Sequence, residues 1–271
     1  AGALSVSVNG SLTVKHTTNY AAVSGSWEVG GFIGYVEGLK QPTVISFEDC
    51  VNRATVIGSS SNVGGFVGYI YGNTNVTITI SNSINDGNID GSRSVGGFFG
   101  DIDSSTSMAI IVSNSVNNGT VTGYRYVGGF VGSVSRNTNM TMTISNSINN
   151  ANVDGSNYVG GFFGYIACYS IAVTISNSNN NGNVTGKSDY AGGFVGCIND
   201  FSYSQPISVC IMSSANKGSV STKEGMACGF MCVHSDNHNS IKTSVKGSIN
   251  SGSIEAGTNG YGITNNITEA R

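Results

Sequence analysis

The chain has 271 residues, of which only 10% are charged, and its formal net charge is −3. That balance leaves no electrostatic footprint for nucleic acid or an acidic membrane surface, and no run of about 18 apolar residues marks a transmembrane segment. Gly contributes 39 residues and Pro only 2, so Gly and Asn make the turns while long stretches keep their backbone donors for a ladder.

From the N-terminus, Ala1-Gly2-Ala3-Leu4 shows no basic segment leading into an apolar one, so any signal peptide is expected to be gone already. Val14 to Gly25 aligns with Ile80 to Gly91, which makes 1–28 a half coil. The string Val-Gly-Gly-Phe-Val-Gly, or a near copy, then begins at Val29, Val63, Val95, Val127, Val159, Ala191 and Ala227, in steps of 34, 32, 32, 32, 32 and 36 residues. A fixed period in that range means one supersecondary unit stacked on copies of itself. Residues 1–271 are therefore read as a single repeat domain, with a partial coil at 258–271.

The copy from Val63 to Ser94 shows the unit. Val63 to Ile70 is an apolar strand, Tyr71 to Asn75 a turn, and Val76 to Asn85 alternates with period two, the signal of a half-buried strand. Asp86-Gly87 turns the chain into a third short strand, Asn88 to Asp90. No segment carries the i, i+3, i+4 pattern of a helix. The expectation is an all-β, parallel β-solenoid (β-helix) of about eight coils of ~32 residues, with three short strands per coil.

In-register stacking predicts columns of like residues about 4.8 Å apart. Phe66, Phe98, Phe130, Phe162 and Phe194, with Phe32 and Phe230 at the ends, form an aromatic column. Asn85, Asn117, Asn149 and Asn180, extended by Asn19, Asn52, Asn216 and Asn250, form an amide ladder. Asn82, Asn114, Asn146 and Asn177 are expected as a second ladder on the inward face. One strand cannot aim both Val63 and Phe66 inward, so a bulge or corner is expected at the Gly-Gly pair.

Gly-Gly-Phe-Val-Gly followed by Ser-x-Asn-x-Gly-x-Val/Ile-x-Gly resembles the GLUG-type repeat, found in arrays on secreted and surface proteins, with Phe here where that family usually has Leu. Similar Asn- and Ser-rich arrays occur in surface-antigen families of protists. The resemblance runs from about Val14 to Thr264. It implies an extracellular or surface-displayed β-solenoid, often adhesive, and supplies no catalytic residues and no cofactor.

The remaining candidates are weighed on chemistry. Asp90 and Asp154 sit two coils apart with Thr122 between them, near the upper spacing of an inverting carboxylate pair, but they follow the repeat as turn residues and are not read as catalytic. His234 and His238, with Asp236 and Cys232 nearby, lie in a polar stretch that reads as a solvated loop rather than a metal site. Cys197 and Cys232 differ by one register position, within reach of a disulfide; the alternative is a set of small apolar core residues. Tyr126, Tyr158 and Tyr190 precede the motif in successive coils, beside Arg93 and Arg125. Facing solvent, they make a planar aromatic stripe with a basic edge, suited to glycans or to a partner or host surface protein; the alternative is a structural tyrosine ladder. Thr77/Thr79 and Thr141/Thr143 are interrupted by Ala109-Ile110-Ile111, which argues against a flat ice-binding array.

The functional expectation is a non-enzymatic, extracellular or cell-surface, adhesive or structural module. Its rivals are a carbohydrate-binding or carbohydrate-active β-helix and a self-assembling filament subunit. Neither end shows a helix or charged strand covering the open ladder, so a longer array or end-to-end stacking is expected.

Overall fold

One period of sequence becomes one turn of chain, and each backbone ladder runs from a coil to its neighbours. The computed structural model describes residues 5–6, 11–199, 206–234 and 241–257. The expected partial coil at 258–271, Asp236 and His238, and residues 4 and 7–10 of the leading strand-like stretch lie outside the described residues. Among the described residues every element is a β-strand and every strand pairing is parallel. The strands line up in three eight-stranded sheets and one of 13 strands. The molecule is a parallel β-solenoid.

A coil holds five short strands rather than three. In the coil that starts at the third motif copy these are Arg93–Gly96, Phe99–Asp103, Ala109–Ser113, Val116–Asn117 and Val121–Thr122. Two corners cause the difference. The first is a bend at Gly97-Phe98, where a Cβ on Gly97 would meet the Gly129 carbonyl oxygen at 2.2 Å and the Asn117 amide carbon at 2.7 Å. Only glycine lets the chain turn against the amide ladder there. The second is at Asn114, whose φ of 50° lies in the left-handed region that Asn tolerates best after Gly.

The first corner separates two cores. Val63, Val95, Val127 and Val159, ahead of the bend, pack with Ile89, Val121, Val153 and Val184 in a narrow second core. The phenylalanines behind it enter the main core with Ile78, Ile110 and Val112. Their rings stack with centroids 4.8 Å apart for Phe66–Phe98 and Phe98–Phe130, 4.7 Å for Phe130–Phe162 and 4.9 Å for Phe162–Phe194. That spacing is the separation of adjacent strands. The two sheets around the bend lie back to back: a Cβ on Gly100 would stand 2.6 Å from the backbone nitrogen of Val63.

The amide ladder is continuous. Asn52, Asn85, Asn117, Asn149 and Asn180 are fully buried, and each Nδ2 donates to the next Oδ1 at 2.8–2.9 Å. A buried amide is costly alone and tolerable when both ends are bonded.

The second asparagine column is not inward. Asn82, Asn114, Asn146 and Asn177 are exposed, because the left-handed residue at each corner reverses which side the following side chains face. Ser83, Ser115, Ser147 and Ser178 are buried in their place. Each serine hydroxyl donates to the carbonyl two residues back and accepts the amide N–H of its counterpart one coil earlier, as Ser115 does toward Ser113 at 2.8 Å and from Ser83 at 3.2 Å. The second inward polar column is a serine ladder.

Candidate functional site

The strand after each bend has an outer face as well as an inner one. In register across the coils, that face presents Tyr35, Tyr69, Asp101, Ser133, Tyr165 and Cys197. Beside it runs the position just ahead of the motif valine, occupied by Glu28, Asn62, Ser94, Tyr126, Tyr158 and Tyr190. The first five of these have left-handed φ, with 59° at Tyr126 and 58° at Tyr158. The conformation is uncommon for a bulky side chain, yet the fold imposes it in successive coils.

The three tyrosines of the expected stripe do form a column. Ring centroids are 5.4 Å apart for Tyr126–Tyr158 and 5.8 Å for Tyr158–Tyr190. Tyr126 is buried, at 7% exposure, whereas Tyr158 and Tyr190 are half-buried. Tyr165 packs on Tyr126 at 4.5 Å. The Arg93 and Arg125 guanidinium carbons stand 5.2 and 4.7 Å from the centre of the Tyr126 ring, and Arg125 also reaches Tyr158 at 5.4 Å. These contacts occupy the ring of Tyr126, so the exposed aromatic surface of the stripe is confined to Tyr158 and Tyr190. Burial raises the Tyr158 phenol to about 12, and the Tyr190 hydroxyl lies 2.7 Å from His234 Nδ1.

Next to Tyr126 the repeat breaks down, at residues that the motif and its period do not single out. Asp101 and Asp103 fall in columns that hold Tyr or Ser in the neighbouring coils. Asp103 is 1% exposed. It accepts hydrogen bonds from Arg136 Nε at 2.8 Å, Ser104 at 3.0 Å, Ser135 at 3.2 Å and Tyr69 at 3.3 Å, and pairs with Arg136 Nη2. It is fully satisfied. Asp101 is not: Oδ2 accepts a long 3.4 Å bond from Ser94, and Oδ1 is buried with no hydrogen-bond partner. Burial, then the charge of Asp103, raises the Asp101 carboxyl to about 7, against smaller lowering effects from the hydroxyl of Ser133 beside it, the charge of Arg93 and the hydroxyl of Ser94. A cleft of about 150 Å³ opens here, lined by Arg93, Asp101, Tyr126, Ser133, Arg136 and Tyr165. The signal available in the sequence was the substitution itself: two carboxylates where the adjacent copies carry Tyr or Ser.

Asp90 and Asp154 are exposed and in register with Thr122 between them, at the turn positions the repeat assigns them. They do not line the cleft. Among the described residues, no three His, Cys, Asp or Glu side chains group closely enough to hold a metal ion.

The disulfide joins Cys228 to Cys232, not Cys197 to Cys232. Cys228 and Cys232 replace the first and last Gly of Gly-Gly-Phe-x-Gly in their coil. Those positions lie back to back across the bend, and their Cα atoms are 5.6 Å apart, within disulfide range. Cys197 instead faces Tyr165 and Ala167, and burial pushes its thiol up to about 12.

No protein-family description matches this chain, and no curated protein matches it. Among solved structures it is similar to a protein from Bacteroides ovatus, described as a putative immunoglobulin A1 protease, whose crystal structure extends to 1.30 Å. The identity is 16% and the TM-score 0.51, and the match covers 93% of this chain and 66% of that one. At that identity the likeness concerns the fold alone. This chain spans 66% of that protein's length.

Proposed function

We propose that this chain is a non-enzymatic, adhesive repeat module of GLUG type, displayed at the cell surface or outside the cell. The observation that carries the reading is the contrast between the two polar systems. The Asn and Ser ladders tie up inward polar side chains of successive coils in stacking, while the Asp101 cleft and the half-buried Tyr158–Tyr190 pair break or flank the pattern on an outer face. A scaffold of stacked coils with an irregular outer patch suits recognition of a partner surface or glycan. Asp90 and Asp154 keep the exposed turn positions of the repeat, in register across Thr122.

Two measurements test the reading. Antibody staining of intact, unpermeabilised source cells, with protease shaving, is expected to label the chain at the periphery and release it; label confined to permeabilised cells would refute surface display. Incubation with a polysaccharide panel and with immunoglobulin A1 is expected to leave both intact. Turnover that persists in pure protein would refute the non-enzymatic reading.

A further inference from the structure

We propose that the cleft between Arg93, Asp101 and Tyr126 binds one neutral pyranose ring of a glycan through its hydroxyl groups. The inference rests on the adhesive reading and specifies its ligand.

Three observations converge. First, Asp101 lines the cleft, and its Oδ1 is buried with no hydrogen-bond partner. A buried acceptor left unpaired costs about 1–3 kcal/mol, and a ligand that supplies the donor recovers that cost. Second, size: about 150 Å³ is well below the roughly 300–1,000 Å³ of pockets for drug-sized ligands, which suits one ring and not a chain. Third, charge. Arg93 lines the cleft, and both it and Arg125 lie against Tyr126, so an ammonium group would meet like charge. A bare anion would meet the unpaired oxygen of Asp101. A neutral hydroxyl pair avoids both conflicts, since one hydroxyl donates to Asp101 Oδ1 while its neighbour accepts from Arg93. Ser133 adds a hydroxyl to the lining, and Ser135, whose proton is donated to Asp103, adds an acceptor oxygen. Arg136 is held by Asp103 and closes the wall without presenting an unpaired charge. Tyr158, next along the column, offers a half-buried ring to the adjoining sugar.

The test is a glycan array with the whole chain, followed by calorimetry with the free monosaccharide terminating the best glycan. The comparison set is wild type, Arg93→Ala, Asp101→Asn and Tyr124→Ala. Arg93 is exposed, so its truncation leaves the fold intact, and Tyr124 is an exposed tyrosine at 62% outside the cleft. The expected result is glycan binding by wild type and Tyr124→Ala, and a loss of at least tenfold in Arg93→Ala and Asp101→Asn. Affinity should change less than twofold between about 50 and about 500 mM salt, because a neutral ligand has no ionic contact to screen. Binding undiminished in Arg93→Ala, which decides alone if Asp101→Asn fails to fold, overturns the proposal. So does steep salt dependence, which would mark an ionic ligand. A chain that adheres to cells but binds no glycan sinks this inference and leaves the adhesive reading standing. A chain that does neither sinks both.

Discussion

Replacing Asn117 with Leu removes the middle rung of the amide ladder and keeps the side chain near its original size. Asn117 Oδ1 accepts from Asn85 at 2.8 Å, and its Nδ2 donates to Asn149 at 2.9 Å. In the variant, Asn149 Oδ1 loses its inter-coil donor inside a fully buried stack, at about 1–3 kcal/mol. Asn85 keeps its bond to the Gly87 carbonyl at 2.9 Å and loses one bond of about 1 kcal/mol. The expected cost is therefore about 2–4 kcal/mol. Asn19→Leu acts on the first rung, where the side chain is only half-buried and donates to Asn52 at 3.0 Å. Asn52 Oδ1 loses its inter-coil donor and the Gly31 carbonyl a 3.1 Å bond, while the exposed Ala21 N–H, which donates to Asn19 Oδ1, turns to water; because water reaches this half-buried end of the ladder, only about 1–2 kcal/mol is expected. Equilibrium urea unfolding followed by circular dichroism at the strand band reads both. A repeat array can unfold in stages, so the midpoint of the transition that loses the central coils is the quantity to compare. Equal shifts for the two variants would refute the argument that the ladder is bonded on both sides in mid-stack.

Gly97→Ala places a methyl group 2.2 Å from the Gly129 carbonyl oxygen, and is expected to abolish soluble folded protein, whereas Gly38→Ala, with open space around it, is expected to cost about 1 kcal/mol from its left-handed φ alone; similar expression and melting would contradict the corner. Non-reducing peptide mapping is expected to recover Cys228 linked to Cys232 and Cys197 as a free thiol, and a Cys197–Cys232 peptide would overturn the back-to-back geometry. Asp101 has a folded-state pKa raised from 3.8 to about 7, so between those values the folded chain holds a proton that the unfolded chain releases. Its contribution to stability is then fully present below about pH 4 and lost as pH rises through about 7, at no more than about 1.4 kcal/mol per pH unit. Asp101→Asn removes that slope from the difference between variant and wild type, and a slope that survives would show that another group carries it.

In a parallel, in-register stack, residues one period apart in sequence are neighbours in space. Recurrence of Phe66, Phe98 and Phe130, or of Asn85, Asn117 and Asn149, therefore names a column without any coordinates. The Val76–Ile78–Ile80 alternation names the buried side of its strand. Composition, period and alternation were enough for an all-β solenoid and its amide ladder. They could not set how the faces of one coil lean on each other, because that depends on local backbone angles. A left-handed residue at Asn82 or Asn114 reverses the parity of the residues after it, so the second inward polar column is Ser83 and Ser115 rather than Asn82 and Asn114. The bend at Gly97 sends Val95 and Phe98 into separate cores, and the same bend brings Cys228 against Cys232. The Asp101 cleft has the same origin: Tyr126 and Tyr165 come from different columns and different coils, and meet only because a φ of 59° turns Tyr126 onto the outer face of the neighbouring strand. Sequence spacing determined which residues stack along the axis, and tertiary structure decided which residues meet across it.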